Sequence, residues 1–158
     1  MKIAIVMGSK SDKEKMQPAI GFLKDAGIPV VVRIASAHRT PQLVEQIAKD
    51  PSIDVFIAGA GMAAALPGVI ASLTEKPVIG VPLSSKYGLQ DSLLSMIQMP
   101  PGIPVLTVGI DAAKNAAIAA SQILALNNAE LAEKLQQIRN GAADKVYADD
   151  QEIMFDNP

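Results

Sequence analysis

Apolar and polar positions alternate on two length scales along this chain. Short runs rich in β-branched residues, Lys2 to Met7, Val30 to Ala35, Asp54 to Ala58, Val78 to Pro82 and Val105 to Val108, are nearly continuous in apolar character. Between them apolar residues recur at helical spacing, which predicts helices over Asp12 to Ala26, Pro41 to Lys49, Pro67 to Thr74, Gln90 to Met96 and Ala112 to Leu126. Strand followed by helix, repeated, is the pattern of βαβ units, and strands apolar throughout are expected to be covered on both faces. Right-handed crossovers then give an α/β fold, a three-layer α/β/α sandwich around a parallel sheet.

Several element ends are readable. Ser11 with Glu14 three residues on is a capping-box pattern for the first helix, and Gly27 marks its end. Thr40 stands as N-cap and Pro41 as first residue of the second helix. After Asn127-Asn128 a further helix is expected from Ala129 to about Val146, with Leu131, Leu135 and Ile138 on one stripe. That helix has no following strand, so it packs either on its own domain or on a neighbouring subunit. The alanine-rich stretch Ala112 to Ala125 can pack closely on several sides, which favours an oligomer. One domain over 1–147 is expected, with 148–158, acidic and poor in apolar residues, as a loosely held tail.

Composition narrows the function. A chain of 158 residues, 49% hydrophobic and 19% charged, buries one proper core. The net charge is -2 and the basic residues are scattered, so no basic stripe for nucleic acid is present, and 3% aromatic residues supply few stacking platforms. No cysteine means no disulfide, no thiolate nucleophile and no zinc-cysteine site; a single histidine makes a metal centre unexpected as well. The first apolar run is too short for a signal peptide, and none reaches the roughly 20 residues of a membrane span. A soluble cytoplasmic protein with neither a membrane nor a nucleic-acid partner is expected.

The candidate chemistry lies in loops after successive strands, which emerge on one edge of a parallel sheet. Gly8-Ser9-Lys10-Ser11-Asp12 offers a glycine for close approach, serine hydroxyls and a helix N-terminus for an anion. Asp12 there repels phosphate but accepts hydrogen bonds from sugar hydroxyls, unless it and Ser11 simply cap the helix. Ser36-Ala37-His38-Arg39-Thr40-Pro41 holds the one histidine, the side chain whose ordinary pKa lies nearest neutrality, beside an arginine suited to phosphate or carboxylate. A plain capped turn with an incidental His38 is the competing reading. Gly59, Gly61 and Ala64 match a dinucleotide fingerprint by spacing, but they follow the third strand rather than the first, so NAD binding is rejected. The stretch reads instead as a glycine backbone wall with Leu66-Pro67 as a rigid apolar lid, a pocket suited to a small neutral molecule such as carbon dioxide. The polar segment Pro82 to Ser92 has the character of an active-site loop, and Gln98 to Pro104 that of a stiff connector.

Taken together, Gly8 to Asp12, Ser36 to Pro41, Ala58 to Gly61 with Leu66-Pro67-Gly68, and Asp91-Ser92-Leu93 through Gln98-Met99-Pro100 resemble one family, in order, from Ile3 to about Ile138. It is the aminoimidazole ribonucleotide carboxylase family of purine synthesis, in its class I form, the 5-(carboxyamino)imidazole ribonucleotide mutases. The resemblance implies a flavodoxin-like subunit, a homo-octamer and no cofactor. It implies that Ser9 and Asp12 bind a ribonucleotide substrate, that Arg39 binds its phosphate, that His38 is the acid/base, and that Ser11, Ser36 and Ala37 line the same site. The implied isomerase moves a carboxylate from the exocyclic amine to the adjacent ring carbon.

Two departures stand out. Members of this class carry a second histidine directly before Leu-Pro-Gly, where this chain has Ala65, and the loop around Ser84 to Gln90 is one residue shorter than in common bacterial members. Ala65 raises the alternative of an impaired or non-catalytic nucleotide-binding paralogue. A direct carboxylase using dissolved carbon dioxide, the class II activity, is disfavoured because Arg39-Thr40-Pro41 and Gly59-Ala60-Gly61 resemble class I more. A flavin carrier is disfavoured by the scarcity of aromatic residues.

Overall fold

The structure is a computed structural model that describes residues 1–88 and 90–155. Its contacts divide it into two compact units, 1–120 and 121–158. In the first, β1 (Ile3–Met7), β2 (Val30–Ile34), β3 (Val55–Gly61), β4 (Val78–Leu83) and β5 (Leu106–Thr107) form one parallel sheet in the order β2-β1-β3-β4-β5. This is the flavodoxin-like order. Ile3 registers with Val30 on one side and with Val55 on the other, so the chain reverses its direction of travel across the sheet at β1. The crevice beyond the carboxyl ends of β1 and β3 is therefore the topological switch point, where ligands bind in open α/β sheets.

Helices α1 (Lys13–Asp25), α2 (Pro41–Ala48), α3 (Leu66–Ala71) and α4 (Gln90–Ile97) follow β1 to β4. Met16, Ala19, Ile20 and Leu23 form the buried stripe of α1 at helical spacing. Val44 and Ile47 of α2, Ile70 of α3 and Met96 of α4 join Val6, Phe56 and Ala58 of the strands in one cluster. Gly27 ends α1 as expected, with φ +67°; its N–H reaches the Lys24 carbonyl and that of Ile28 the Leu23 carbonyl, both at 2.9 Å.

Three local expectations are corrected. The expected box of Ser11 and Glu14 is displaced two residues earlier: Lys10–Asp12 form a 3-10 turn, and the Asp12 carboxylate accepts the Ser9 N–H at 3.0 Å. β2 is not covered on both faces, because it ends the sheet; Val32 and Ile34, two residues apart and so on one face, are 38% and 48% exposed. β3 runs on to Gly61, beyond the expected Ala58, because its last residues pair with β4 as far as Gly61 with Leu83. The sequence pattern cannot see that rung, since glycine carries no apolar signal.

The second unit holds the end of α5 (Ala113–Ala125) and all of α6 (Ala129–Phe155). Asn128 caps α6, its side-chain oxygen accepting the Leu131 N–H at 2.9 Å. Leu131 is buried, but Ile138, Val146, Tyr147, Ile153 and Met154 are exposed. The helix continues past Val146 through most of the segment expected as a tail; residues 156–158 lie outside those described.

Candidate functional site

Four loops meet at the carboxyl edge of the sheet around a cleft of about 740 Å³. The structure brings Ser9, Ser11, Asp12, Ser36, Ala37, His38, Arg39, Gly61 and Leu66 to its walls. Gly59 is not among them. It faces α1, where a Cβ would collide with the Met16 thioether, so its glycine serves close helix-to-strand packing.

The loop after β2 is closed by its own residues. The Thr40 N–H donates to the Ser36 carbonyl at 2.8 Å, and the Thr40 hydroxyl accepts the Ser36 N–H at 2.9 Å and donates to the Ser36 carbonyl at 3.2 Å. Thr40 thus occupies the N-cap position of α2, but its hydroxyl turns back into the loop instead of capping forward. The Ser36 hydroxyl accepts both the Arg39 N–H and the Arg39 Nε–H at 3.3 Å, and Arg39 Nη2 donates to the Gly8 carbonyl at 2.9 Å. Two of the five guanidinium N–H groups are thereby fixed by protein, which orients the rest for an anion. His38 is exposed at the cleft, and among the described residues its imidazole has no protein hydrogen bond, so both ring nitrogens are available to a ligand.

Across the cleft the Ser9 and Ser11 hydroxyls share a hydrogen bond of 2.5 Å. Asp12 uses one carboxylate oxygen on Ser9 and keeps acceptor capacity for a ligand hydroxyl. The third wall is apolar. Gly61 approaches β4 so closely that a Cβ would lie 3.3 Å from the Leu83 carbonyl oxygen. The chain then turns through Met62 at φ +55°, and Ala64 and Leu66 are buried while Ala65 is half-buried at the cleft. Leu66 and Pro67 open α3 from buried positions.

Three polar side chains outside the expected set also line the cleft: Lys15, Ser84 and Ser85. Lys15 was readable in principle, standing three residues after Asp12 and four after Ser11 on one helical face. The stretch from Pro82 was expected to be an active-site loop, but nothing in it singled out Ser84. The Lys15 ammonium donates to both the carbonyl and the hydroxyl of Ser84 and pairs with Asp111 at 3.6 Å. Asp111 in turn accepts the Ser84 N–H at 2.9 Å and the Ser84 hydroxyl at 2.5 Å. Burial pushes the Asp111 carboxyl upward, but the two Ser84 hydrogen bonds and the Lys15 ammonium outweigh it, holding the group below the usual carboxylate range. Among the described residues no three His, Asp or Glu side chains gather as a metal site would require.

Known proteins share this chain's sequence and fold along nearly its whole length. Residues 2–145 match the AIR carboxylase family. The chain is 56% identical to an N5-carboxyaminoimidazole ribonucleotide mutase of Methanocaldococcus jannaschii over 151 residues, which cover 96% of each protein. It is 54% identical to the protein of the same name from Saccharolobus solfataricus, over 86% of this chain and 89% of that one. A crystal structure of Treponema denticola PurE superposes with a TM-score of 0.85 at 29% identity, covering 96% of this chain and 97% of that one. The chain belongs to the AIR carboxylase family.

Proposed function

We propose that the cleft converts N5-carboxyaminoimidazole ribonucleotide into 4-carboxy-5-aminoimidazole ribonucleotide, a mutase step of purine synthesis. The observation that carries the reading is one wall holding a proton carrier and an oriented guanidinium, His38 and Arg39, opposite Ser9 and Asp12, in a chain 56% identical to a protein named for this reaction.

The chemistry follows from the groups present. Arg39, tied to Gly8 and Ser36, receives the substrate phosphate, and the Ser9, Ser11 and Ser36 hydroxyls with the Ala37 backbone complete the polar wall. Asp12 accepts hydrogen bonds from the ribose hydroxyls. When the nitrogen–carboxylate bond breaks, the electron pair stays on nitrogen, which takes a proton from the His38 imidazolium, and carbon dioxide is released. The apolar wall from Gly61 to Leu66 retains that neutral molecule beside the ring. The electron-rich ring carbon attacks it, and His38 removes the proton from that carbon, restoring the aromatic ring. One proton is given and one recovered, so a single imidazole completes the cycle. That economy fits a chain with Ala65 at the cleft and no other histidine.

The same reading takes 1–147 as the functional domain, in a cytoplasmic homo-octamer without cofactor. The uncovered apolar face of β2 at Val32 and Ile34, with Leu106 exposed on β5, supports association. Light scattering near eight times the 16.5 kDa chain mass is expected, and a monomer would contradict it. Ala65 favours one second reading, a nucleotide binder without turnover. Following purified protein with carboxyaminoimidazole ribonucleotide separates the two. Turnover supports the mutase; binding without turnover, with activity appearing in Ala65→His, supports the binder. Bicarbonate-dependent conversion of the non-carboxylated nucleotide alone would establish a direct carboxylase instead.

A further inference from the structure

The cleft contains two fixed cations, Lys15 and Arg39, and they differ in what holds them. Arg39 is bonded only to neutral oxygens, from Ser36 and Gly8, so its charge is open to a ligand. The charge of Lys15 is already met by Asp111 at 3.6 Å, and its donors are turned onto Ser84. Lys15 therefore stands at the cleft with its charge and its donors already engaged, whereas Arg39 keeps three guanidinium N–H groups for a ligand.

What the arrangement does secure is Ser84. All three of its polar groups are taken: its N–H and hydroxyl donate to Asp111, and its carbonyl and hydroxyl accept from Lys15. One residue at the end of β4 is therefore tied both to α1 and to the loop before α5. Asp111 can reach it because its backbone adopts φ +55°, a conformation aspartate tolerates better than most residues, with its own N–H on the Pro82 carbonyl at 2.9 Å. Beyond Ser84 the chain closes a tight turn, Ser85 and Gly88 exchanging backbone hydrogen bonds at 3.3 Å. Fixing Ser84 thus sets where this wall, Ser84 and Ser85, stands against the cleft and anchors the turn to Gly88 behind it.

We propose that Lys15, Ser84 and Asp111 form a clasp that positions this wall for the nucleotide, with Lys15 and Asp111 as positioning residues that act through Ser84. The proposal rests on the cleft being the nucleotide site, and its test separates the two ideas. Amide hydrogen exchange across 84–88 needs no ligand and reads the clasp itself. Binding of 4-carboxy-5-aminoimidazole ribonucleotide by calorimetry, with kcat and KM, reads its consequence. Asp111→Gly suits the positive φ and removes the carboxylate without backbone strain. It also leaves Lys15 unpaired, so a purely electrostatic role predicts tighter binding of the anionic nucleotide, whereas positioning predicts weaker binding.

The expected result is exchange at Ser84 faster by about tenfold, and Kd and KM raised by about tenfold with kcat within about twofold, in both Asp111→Gly and Lys15→Met. Unchanged exchange, unchanged binding despite faster exchange, tighter binding in Asp111→Gly, or a fall in kcat alone would each overturn the clasp. If wild-type protein neither binds nor converts the nucleotide while exchange responds as expected, the site assignment fails and takes the positioning role with it, leaving only a structural clasp.

Discussion

The loops after β2 and after β4 face each other across one cleft, yet they are held by opposite means. The first is closed by Ser36 and Thr40, four residues apart, and among the described residues its side chains hydrogen-bond outside the loop through Arg39 to the Gly8 carbonyl alone. The second is held at Ser84 by Lys15, 69 residues earlier, and by Asp111, 27 residues later. A loop closed locally carries its shape in its own sequence and presents its candidates, His38 and Arg39, with little help. A loop anchored at a distance takes its position from residues elsewhere in the chain.

The sharpest break of this comparison is at the locally built loop. His38→Asn should lower kcat by about a thousandfold, the scale of general acid–base catalysis with no substitute base, while nucleotide binding by calorimetry stays near wild type. Equal loss of binding would show that His38 holds the nucleotide instead. Arg39→Leu should instead weaken nucleotide binding by about tenfold to a hundredfold, the worth of charge-assisted hydrogen bonds, and the loss should shrink in high salt. Thr40→Val keeps the shape but removes two hydrogen bonds and leaves the Ser36 N–H unmatched, so stability should fall by about 1 kcal/mol. Hydrogen exchange should then quicken across 36–40 and stay unchanged at Ser84.

The smallest expected effect separates the loops by pH. Asp111 titrates below its unfolded value, so its contribution is present above the usual carboxylate range and is lost as pH falls through its own lower pKa. Protection of the Ser84 amide, taken relative to the intrinsic exchange rate at each pH, should therefore fall in acid before protection across 36–40 does, because the hydrogen bonds that close the Ser36–Thr40 turn involve no carboxylate. Simultaneous loosening would mean that the two loops open as one unit.

The same contrast explains what was legible beforehand. Buried strands β1, β3 and β4 announce themselves because an apolar run survives only where both faces are covered. The run of β2 reads much the same apart from Arg33, although that strand is half exposed in the single chain; an apolar run does not say what covers it. Gly59 and Gly61 share one motif, yet one packs on Met16 and the other borders the cleft, a distinction of direction that spacing cannot express. Ser11 and Ser9 compete for the same capping role, and only the 3-10 turn decides between them.

By itself the sequence determined the alternation of strands and helices, the sheet edge on which the candidate residues gather, and the neighbouring candidates His38 and Arg39. Those are local or periodic properties, set by neighbours a few residues away. Tertiary structure alone decided that Lys15 and Asp111 meet at Ser84, that Gly59 turns away from the cleft, and that β2 bears an uncovered face. Each depends on residues far apart in the chain being brought together by a sheet whose strand order is not its sequence order.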